Sequence, residues 1–380
     1  MDTKGSGRVM ALDGVRAIAA FCVLVDHLFP HDTIIWRMFS YGRFGVDAFF
    51  ILSGYLIIDI LLSGRAQIEQ GVSVGRVWSD FFARRALRIL PIYFGIILVF
   101  VAAKYAPVTS VALWHFTFAS NIGASLYQID FSNLGHFWSI CVEEQFYLVV
   151  PLAILFFSAQ RSFRIIYTVV AFCLLAKVLL SIFVAPHNPY IVARLPITNV
   201  ECLTYGALIA YATRVADARA MLLSLVKWAT VPAIVVVAAI SCYRFAFGDA
   251  GWVIAPRQAV QDLAYACAFG PLILMAVERR LPPIINRLLT LQTITYLGRI
   301  SYGTYAIHFA MIPFYGYFLS PMHVQAGGYK AFVIECLIAY AMASLSWFAL
   351  ERPILGLKRH FVPAKAQNYA TAGAVNVPPL

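Results

Sequence analysis

The chain has 380 residues, of which 61% are apolar and only 12% are charged, and its formal net charge is +11. Soluble domains are roughly 45–50% apolar and about 25% charged, so this composition excludes a soluble enzyme with one membrane anchor and indicates a polytopic membrane protein. The excess of basic residues is better explained by cytoplasmic loops than by a nucleic-acid partner, and no nucleic acid is expected.

Apolar segments recur along the chain at about the 20-residue length that a helix needs to cross a bilayer. The sequence therefore predicts an all-α, polytopic bundle, with a transmembrane domain over 1–360 and a polar, disordered tail over 361–380. The stretch 107–136 is too mixed for a span and is predicted to be re-entrant or interfacial. About ten spans are predicted, at 11–29, 44–62, 89–106, 137–157, 164–185, 196–213, 228–245, 259–277, 296–319 and 331–350.

The basic residues predict the orientation of these spans. With the N-terminus in the cytoplasm, about twenty of the 29 Lys and Arg residues fall in cytoplasmic segments and about six fall outside. Cytoplasmic loops carry such an excess, so both termini are predicted to lie inside. The seven cysteines form no CxxC pair and lie mostly in apolar runs. They favour small buried residues over disulfides or a zinc site, and no metal is predicted.

The first predicted span reads "VRAIAAFCVLVDHLF" and carries Arg16, Asp26 and His27. Arg16 and His27 are 11 residues apart, so they share one helix face and lie about 16 Å apart along the axis. A charge inside a membrane costs at least about 2.5–3.5 kcal/mol and normally faces a bundle interior or a wet cavity. A structural explanation also stays open, with Arg16 paired to Asp13 and His27 as a hydrogen-bonded core residue.

The second span, "FGVDAFFILSGYLI", places Asp47 and Ser53 among aromatic residues. Gly54 permits the close approach of another helix. Taken alone, the pattern favours helix packing with a buried polar contact.

A basic cluster precedes the third span in "FFARRALRILPIYF". Arg84, Arg85 and Arg88 lie within an arc of about 100° on a helix, at the predicted cytoplasmic mouth. Guanidinium groups bind phosphates bidentately. An ordinary positive-inside cluster is the alternative.

The fourth span begins "GHFWSICVEEQFYLVVP", and the ninth reads "YLGRISYGTYAIHFAMI". The adjacent Glu143 and Glu144, with Tyr147 one turn away, are hard to explain by packing and need a cation, a donor or a chemical role. His308 in the ninth span, three residues after Tyr305, is by itself typical of a satisfied core histidine.

The order of these stretches, from Leu12 to Arg359, resembles the acyltransferase 3 family of bacterial integral membrane O-acyltransferases. The resemblance implies a ten-helix core in the cytoplasmic (inner) membrane that transfers acyl groups, most often from acetyl-CoA, to hydroxyls of surface or exported glycans. The family's Arg-x10-His pattern matches Arg16 and His27, and its late-span histidine matches His308. Its arginine cluster and glutamate motif match two further sets: Arg84, Arg85 and Arg88; Glu143 and Glu144.

The sequence departs from the family pattern in two places. Asp26 directly precedes His27, where an apolar or aromatic residue is more usual. The cluster Arg-Arg-Ala-Leu-Arg lacks the close Arg-x-Arg spacing, which leaves open which arginine meets which phosphate. The chain is also expected to be too short for the fused hydrolase-like domain of many relatives.

The resemblance implies a site in which acyl-CoA enters from the cytoplasm and the acceptor from outside. His27 is expected to be the general base, with Glu143 or Glu144 orienting it or holding acceptor hydroxyls, while an acyl-histidine route stays open. Arg16, Arg84, Arg85 and Arg88 are expected to bind the acetyl-CoA co-substrate. The expected contacts to the glycan or lipid-linked oligosaccharide acceptor are Asp47, Ser53, Trp138, Tyr147 and His308.

Two other classes compete with this interpretation, a proton-coupled secondary transporter and a non-catalytic scaffold, and the scaffold explains the intramembrane glutamate pair poorly. The acceptor can be an exopolysaccharide, an O-antigen or a lipo-oligosaccharide, and the sequence does not choose among them. A proton-coupled secondary transporter also uses intramembrane His, Glu and Asp. Transporters often contain internal repeats, and no clear repeat relates the two halves of this sequence.

Overall fold

The computed structural model describes residues 9–214, 216–247 and 254–361. Within these ranges all regular elements are helical, which confirms the predicted all-α class. Of the predicted tail 361–380, only Phe361 lies inside the described residues.

The first half of the chain alternates long helices with short connecting ones. Side-chain caps start several of them: Ser73 accepts a hydrogen bond from the backbone N–H of Arg76, and Ser158 accepts one from that of Arg161. A 3₁₀ turn, Ser132–Phe137, leads into the eighth helix. The helices are α1 (Met10–Leu28), α2 (Ile34–Met38), α3 (Tyr41–Glu69), α4 (Val74–Ala102), α5 (Ala106–Thr109), α6 (Ala112–Phe116), α7 (Ser120–Leu126), α8 (Trp138–Leu155) and α9 (Ala159–Phe183).

The second half contains more short helices, joined by 3₁₀ turns at Pro196–Thr198, Ser320–Met322 and Leu357–Phe361 and by a π-helical turn at Trp347–Glu351. The helices are α10 (Pro189–Arg194), α11 (Val200–Ala212), α12 (Ala216–Phe247), α13 (Ile254–Val277), α14 (Pro283–Leu289), α15 (Gln292–Arg299), α16 (Ser301–Ala310), α17 (Ile312–Leu319), α18 (Tyr329–Ser346) and α19 (Arg352–Gly356).

Six helical segments of the described chain are long and apolar enough to cross a membrane. Helix α1 has nearly the bounds of the first predicted span but carries Asp13, Arg16 and Asp26, and it is not among the six. The count of ten spans and the orientation of the termini stay predictions. The six segments are Tyr41–Glu69, Val74–Ala102, Ser132–Leu155, Ala159–Phe183, Val260–Val277 and Tyr329–Phe361.

The ninth predicted span, 296–319, is wrong as a single helix. The chain forms α15, α16 and α17 there, with interruptions at Ile300 and Met311. Pro313 lies in the first turn of α17 and has no N–H to bond back into α16, which accounts for the second interruption. The mixed stretch 107–136 forms only short helices and turns.

Helix α3 lies at the centre of the bundle, packed against α1, α8, α11 and α13. Its contact with α11 is backbone to backbone at two glycines. A Cβ atom added to Gly54 would lie 1.8 Å from the Leu203 carbonyl oxygen, and one added to Gly206 would lie 2.0 Å from that of Ile51. The predicted close approach at Gly54 is therefore confirmed.

The substitution Gly54→Ala is expected to lower the thermal unfolding midpoint of the purified protein, because one methyl group must push α3 and α11 apart. Overpacking of this kind costs about 1–3 kcal/mol. Gly95→Ala on α4 is the matched control, since a Cβ there meets nothing within 4 Å. Equal midpoints for the two variants, measured in the same detergent, would contradict the close contact.

Candidate active site

Three cavities follow one another along α1. The arginine cavity, about 480 Å³, is lined by Leu12, Asp13 and Arg16 in the first turns of α1. The histidine cavity, about 430 Å³, is lined by Asp26 and His27 in its last turn. A middle cavity of about 70 Å³ lies between them.

The middle cavity shares wall residues with both of its neighbours. Arg16, Arg85 and Arg88 line the middle cavity and the arginine cavity. Val46 and Tyr305 line the middle cavity and the histidine cavity. The three cavities therefore adjoin one another in a row along α1.

The arginine cavity is strongly basic. Of its carboxylates, Asp13 lies 3.3 Å from Arg16, and Asp59 is neutralised by Arg214 at 2.6 Å. Two of its cations, Arg299 and Lys358, were not predicted from the sequence, because they lie more than 200 positions from the other arginines of the cavity. The basic residues in the lining are Arg16, Arg85, Arg88, Arg299 and Lys358.

The structure separates Arg84 from the other two arginines of its cluster. Arg84 is outside the lining of all three cavities, and its Nη1 donates to the carbonyl oxygen of Phe361 at 3.1 Å. Arg84 lies at one edge of the arc that the three arginines span on α4, about 100° from Arg85. The expectation that all three face one phosphate-binding site is therefore corrected to Arg85 and Arg88.

The middle cavity contains Glu143, Ser53 and Tyr147 in its wall. The Tyr147 hydroxyl donates to Glu143 Oε2 at 2.9 Å, and the guanidinium of Arg85 lies 6.0 Å from the Tyr147 ring centre. Glu144 does not line any of the three cavities, and its buried Oε1 has no hydrogen-bond partner among the described residues. Of the two adjacent glutamates, only Glu143 faces the row of cavities.

His27 is hydrogen-bonded to His308, and the bond has a direction. His308 Nδ1 lies 2.6 Å from the Tyr305 carbonyl oxygen, which only accepts, so Nδ1 carries the proton. In a neutral ring His308 Nε2 must then accept, and His27 Nδ1, at 3.0 Å, must donate. The hydrogen-bond network thus assigns these tautomers. His27 therefore keeps Nε2 as its basic nitrogen, and the residue lines the histidine cavity.

A third histidine, His136, completes this cluster and was missed by the sequence reasoning. Its ring centre is 5.2 Å from that of His308. Its Nε2 donates to the Ala306 carbonyl oxygen at 3.1 Å, while the buried Nδ1 has no partner among the described residues. His136 and Trp138 both line the histidine cavity. The available signal was the position of His136 at the start of the same motif as the two glutamates.

The expectation that Glu143 or Glu144 orients His27 is corrected, because His308 takes that place. Helix α8 begins at Trp138, so Glu143 lies about 7.5 Å farther along the helix axis. The 3₁₀ turn before α8 places His136 in the wall of the cavity that His27 also lines, whereas neither glutamate lines that cavity.

Asp47 lies in a buried ion cluster and outside the three cavities, contrary to the predicted substrate contact. Arg43 Nε donates to Asp47 Oδ2 at 3.2 Å and to Asp262 Oδ1 at 2.9 Å. Lys177 binds both Glu201 and Asp262. The cluster holds Arg43, whose side chain reaches the histidine cavity.

The chain is similar in sequence to bacterial O-acetyltransferases. The O-acetyltransferase OatA of Staphylococcus aureus is 26% identical over 404 residues, covering 97% of this chain and 63% of the relative. The peptidoglycan O-acetyltransferase OatA of Listeria monocytogenes is 31% identical over 194 residues, covering 47% of this chain and 29% of the relative. The chain thus spans less than two thirds of the curated relatives it matches.

The family comparison covers most of the chain. The acyltransferase domain that defines the acyltransferase 3 family matches residues 10–351. No solved structure matches the chain. The matched range includes residues that line the row of cavities, namely Arg16, Arg85, Arg88, Glu143 and His27, and also His308, which is hydrogen-bonded to His27. The chain belongs to the acyltransferase 3 family of multi-pass membrane proteins.

Proposed function

We propose that the protein is a membrane O-acetyltransferase that moves an acetyl group from acetyl-CoA to a hydroxyl of a surface or exported glycan. The observation that carries this proposal is the row of three adjoining cavities, which extends from a basic cavity to the His27–His308 pair. The names of the relatives, O-acetyltransferase and peptidoglycan O-acetyltransferase, support acetyl as the acyl group and a cell-envelope glycan as the acceptor.

The arginine cavity has the chemistry to hold the phosphates of acetyl-CoA. Its five basic side chains exceed its three acidic ones, two of which are paired with arginines. Arg85 and Arg88 offer planar guanidinium groups, which suit phosphate oxygens. The positive-inside bias of the sequence supports an arginine cavity open to the cytoplasm and a histidine cavity open to the outer face of the inner membrane.

The middle cavity suits the long, thin arm that joins the phosphates to the thioester. That arm carries amide groups, and Ser53, Glu143 and Tyr147 provide donors and acceptors along the passage. An arm held in this way would place the thioester near His27, about 16 Å from Arg16 along α1.

His27 has the tautomer that a general base requires. Its Nε2 can accept the proton of the acceptor hydroxyl as the hydroxyl oxygen bonds to the thioester carbonyl carbon. The C–S bond then breaks, and His27 returns the proton to the departing thiolate, so the products are an ester and free CoA. The alternative route, in which Nε2 first takes the acetyl group, uses the same nitrogen.

The direct test is transfer by the full chain in lipid nanodiscs, with acetyl-labelled acetyl-CoA and fragments of peptidoglycan or exopolysaccharide. The expected result is an alkali-labile acetyl ester on the glycan and an equal amount of free CoA thiol. Uptake of a solute driven by a proton gradient in liposomes, with no consumption of acetyl-CoA, would overturn the proposal in favour of a transporter.

His308 is expected to act by positioning His27. His308→Ala should lower kcat by roughly 10–100-fold, because His27 loses the side-chain acceptor that orients its ring, while the KM for acetyl-CoA stays unchanged. His308→Gln retains an acceptor oxygen and should recover part of the rate. The exposed His323→Ala is the control. If the glutamine variant is as slow as the alanine variant, the role of His308 is purely structural.

A further inference from the structure

Among the residues that the structure describes, the histidine cavity contains one cation without an ionic partner. Arg194 ends the short helix α10 and lines this cavity together with His27. Its side chain is half-buried, with the guanidinium 4.7 Å from the ring centre of Tyr190. No carboxylate of the described chain lies within ion-pair distance of Arg194.

The second arginine of the cavity is already neutralised. Arg43 donates to both carboxylate oxygens of Asp262 and also to Asp47, and its Nη1 donates to Asn199 Oδ1 at 2.8 Å. These partners fix Arg43 from the side away from the cavity. Arg43 therefore contributes hydrogen-bonding groups to the wall but little net charge.

The two carboxylates of the cavity lie against backbone groups and outside ion-pair distance of Arg194. Asp130 Oδ1 accepts from the backbone N–H of Ser132 at 2.8 Å. A Cβ atom added to Gly42 would lie 2.4 Å from Asp26 Oδ2, so the Asp26 carboxylate lies against the first turn of α3. The free N–H groups of a helix start stabilise a negative charge there. Asp130 is close enough to influence Arg194 electrostatically but forms no ion pair with it, so the Arg194 guanidinium keeps N–H donors for a ligand.

We propose that the acceptor carries an anionic group, a carboxylate or a phosphate, close to the acylated hydroxyl, and that Arg194 binds this group. The inference rests on the proposed function and names the class of acceptor. A half-buried guanidinium over an aromatic ring, facing a cavity of about 430 Å³, offers a fork of N–H donors matched to carboxylate or phosphate oxygens. Arg194 would thereby fix the acceptor hydroxyl relative to His27.

The test is isothermal titration calorimetry on the full chain in lipid nanodiscs with three matched probes. These are a tetrasaccharide of alternating N-acetylglucosamine and glucuronic acid, the same compound with its carboxylates reduced to alcohols, and the reduced compound carrying a phosphate ester. The wild-type protein is expected to bind an anionic probe roughly 10–100-fold more tightly than the neutral one, as a charge-assisted hydrogen bond implies. If the carboxylate probe binds more tightly, the anionic group of the acceptor is a carboxylate, and if the phosphate probe does, it is a phosphate.

Two variants decide whether Arg194 is responsible. Arg194→Gln should remove the preference for the anionic probe and leave binding of the neutral probe unchanged. Arg37→Gln removes the same charge from an exposed site outside the cavity lining and should retain the preference. Equal or undetectable binding of all three probes, or a preference that survives Arg194→Gln, would overturn the inference. Anion-dependent binding without any acetyl transfer would instead uphold it and overturn the proposed function.

Discussion

Replacing His27 with alanine is expected to abolish acetyl transfer while leaving the protein folded. Loss of a general base lowers kcat by roughly 10²–10⁴-fold, and loss of an acyl-carrying nitrogen would lower it at least as far. Three of the four ring nitrogens of His27 and His308 are engaged in hydrogen bonds, which leaves Nε2 of His27 as the remaining one. His27 lines the histidine cavity, and His308 is not among its lining residues. The measurement is the rate of acetyl ester formation by purified His27→Ala protein.

The exposed His187→Ala is the matched control and should retain the full rate. Thermal unfolding and acetyl-CoA binding should be alike in the two variants. Transfer by His27→Ala at more than a tenth of the wild-type rate would exclude both the general-base route and the acyl-histidine route.

Replacing Arg88 with glutamine is expected to raise the KM for acetyl-CoA by roughly 10–100-fold with little change in kcat. A hydrogen bond to a charged group contributes about 1.5–3 kcal/mol, and each 1.4 kcal/mol is about tenfold in affinity. Arg88 lines both the arginine cavity and the middle cavity, where the phosphates and the arm of the donor would meet. Initial rates at increasing acetyl-CoA concentration measure the effect.

Arg84→Gln is the matched control for this experiment. It removes the same charge four residues away on the same helix, but Arg84 is bonded to Phe361 and lies outside the cavity lining. Its KM should stay near the wild-type value. If both substitutions raise KM equally, long-range attraction by the cluster, and not contact with Arg88, binds the donor. The rise should then disappear at high salt.

The sequence predicted the site where helical geometry alone relates the residues. Arg16 and His27 share one face of α1 because 11 residues make about three turns, and both indeed line the row of cavities. The partner of His27 was not predictable in this way, since His308 lies 281 positions away. Arg299 and Lys358 were missed for the same reason.

The sequence also could not show which of two adjacent identical residues faces a cavity. Glu143 and Glu144 are chemically identical, and so are Arg84 and Arg85, but adjacent positions on a helix point about 100° apart. Only the packing of α8 and α4 against other helices decides which member faces a cavity. The sequence therefore located each pair but could not choose within it.

The fold was predicted in class but not in every element. Hydropathy treats 296–319 as one apolar segment, whereas the interruptions at Ile300 and Met311 depend on local backbone conformation. Those interruptions matter, because α16 carries both Tyr305 and His308 into the site. Apolar content alone does not reveal where a helix is interrupted.

The small volume of the middle cavity has a consequence for the electrical potential across the membrane. If the donor enters from one side of the membrane and the acceptor from the other, the site joins two aqueous compartments that differ in electrical potential. A cavity of about 70 Å³ that also holds the arm of the donor during turnover would leave little room for hydrated ions. Acetyl groups could then leave the cytoplasm without discharging the membrane.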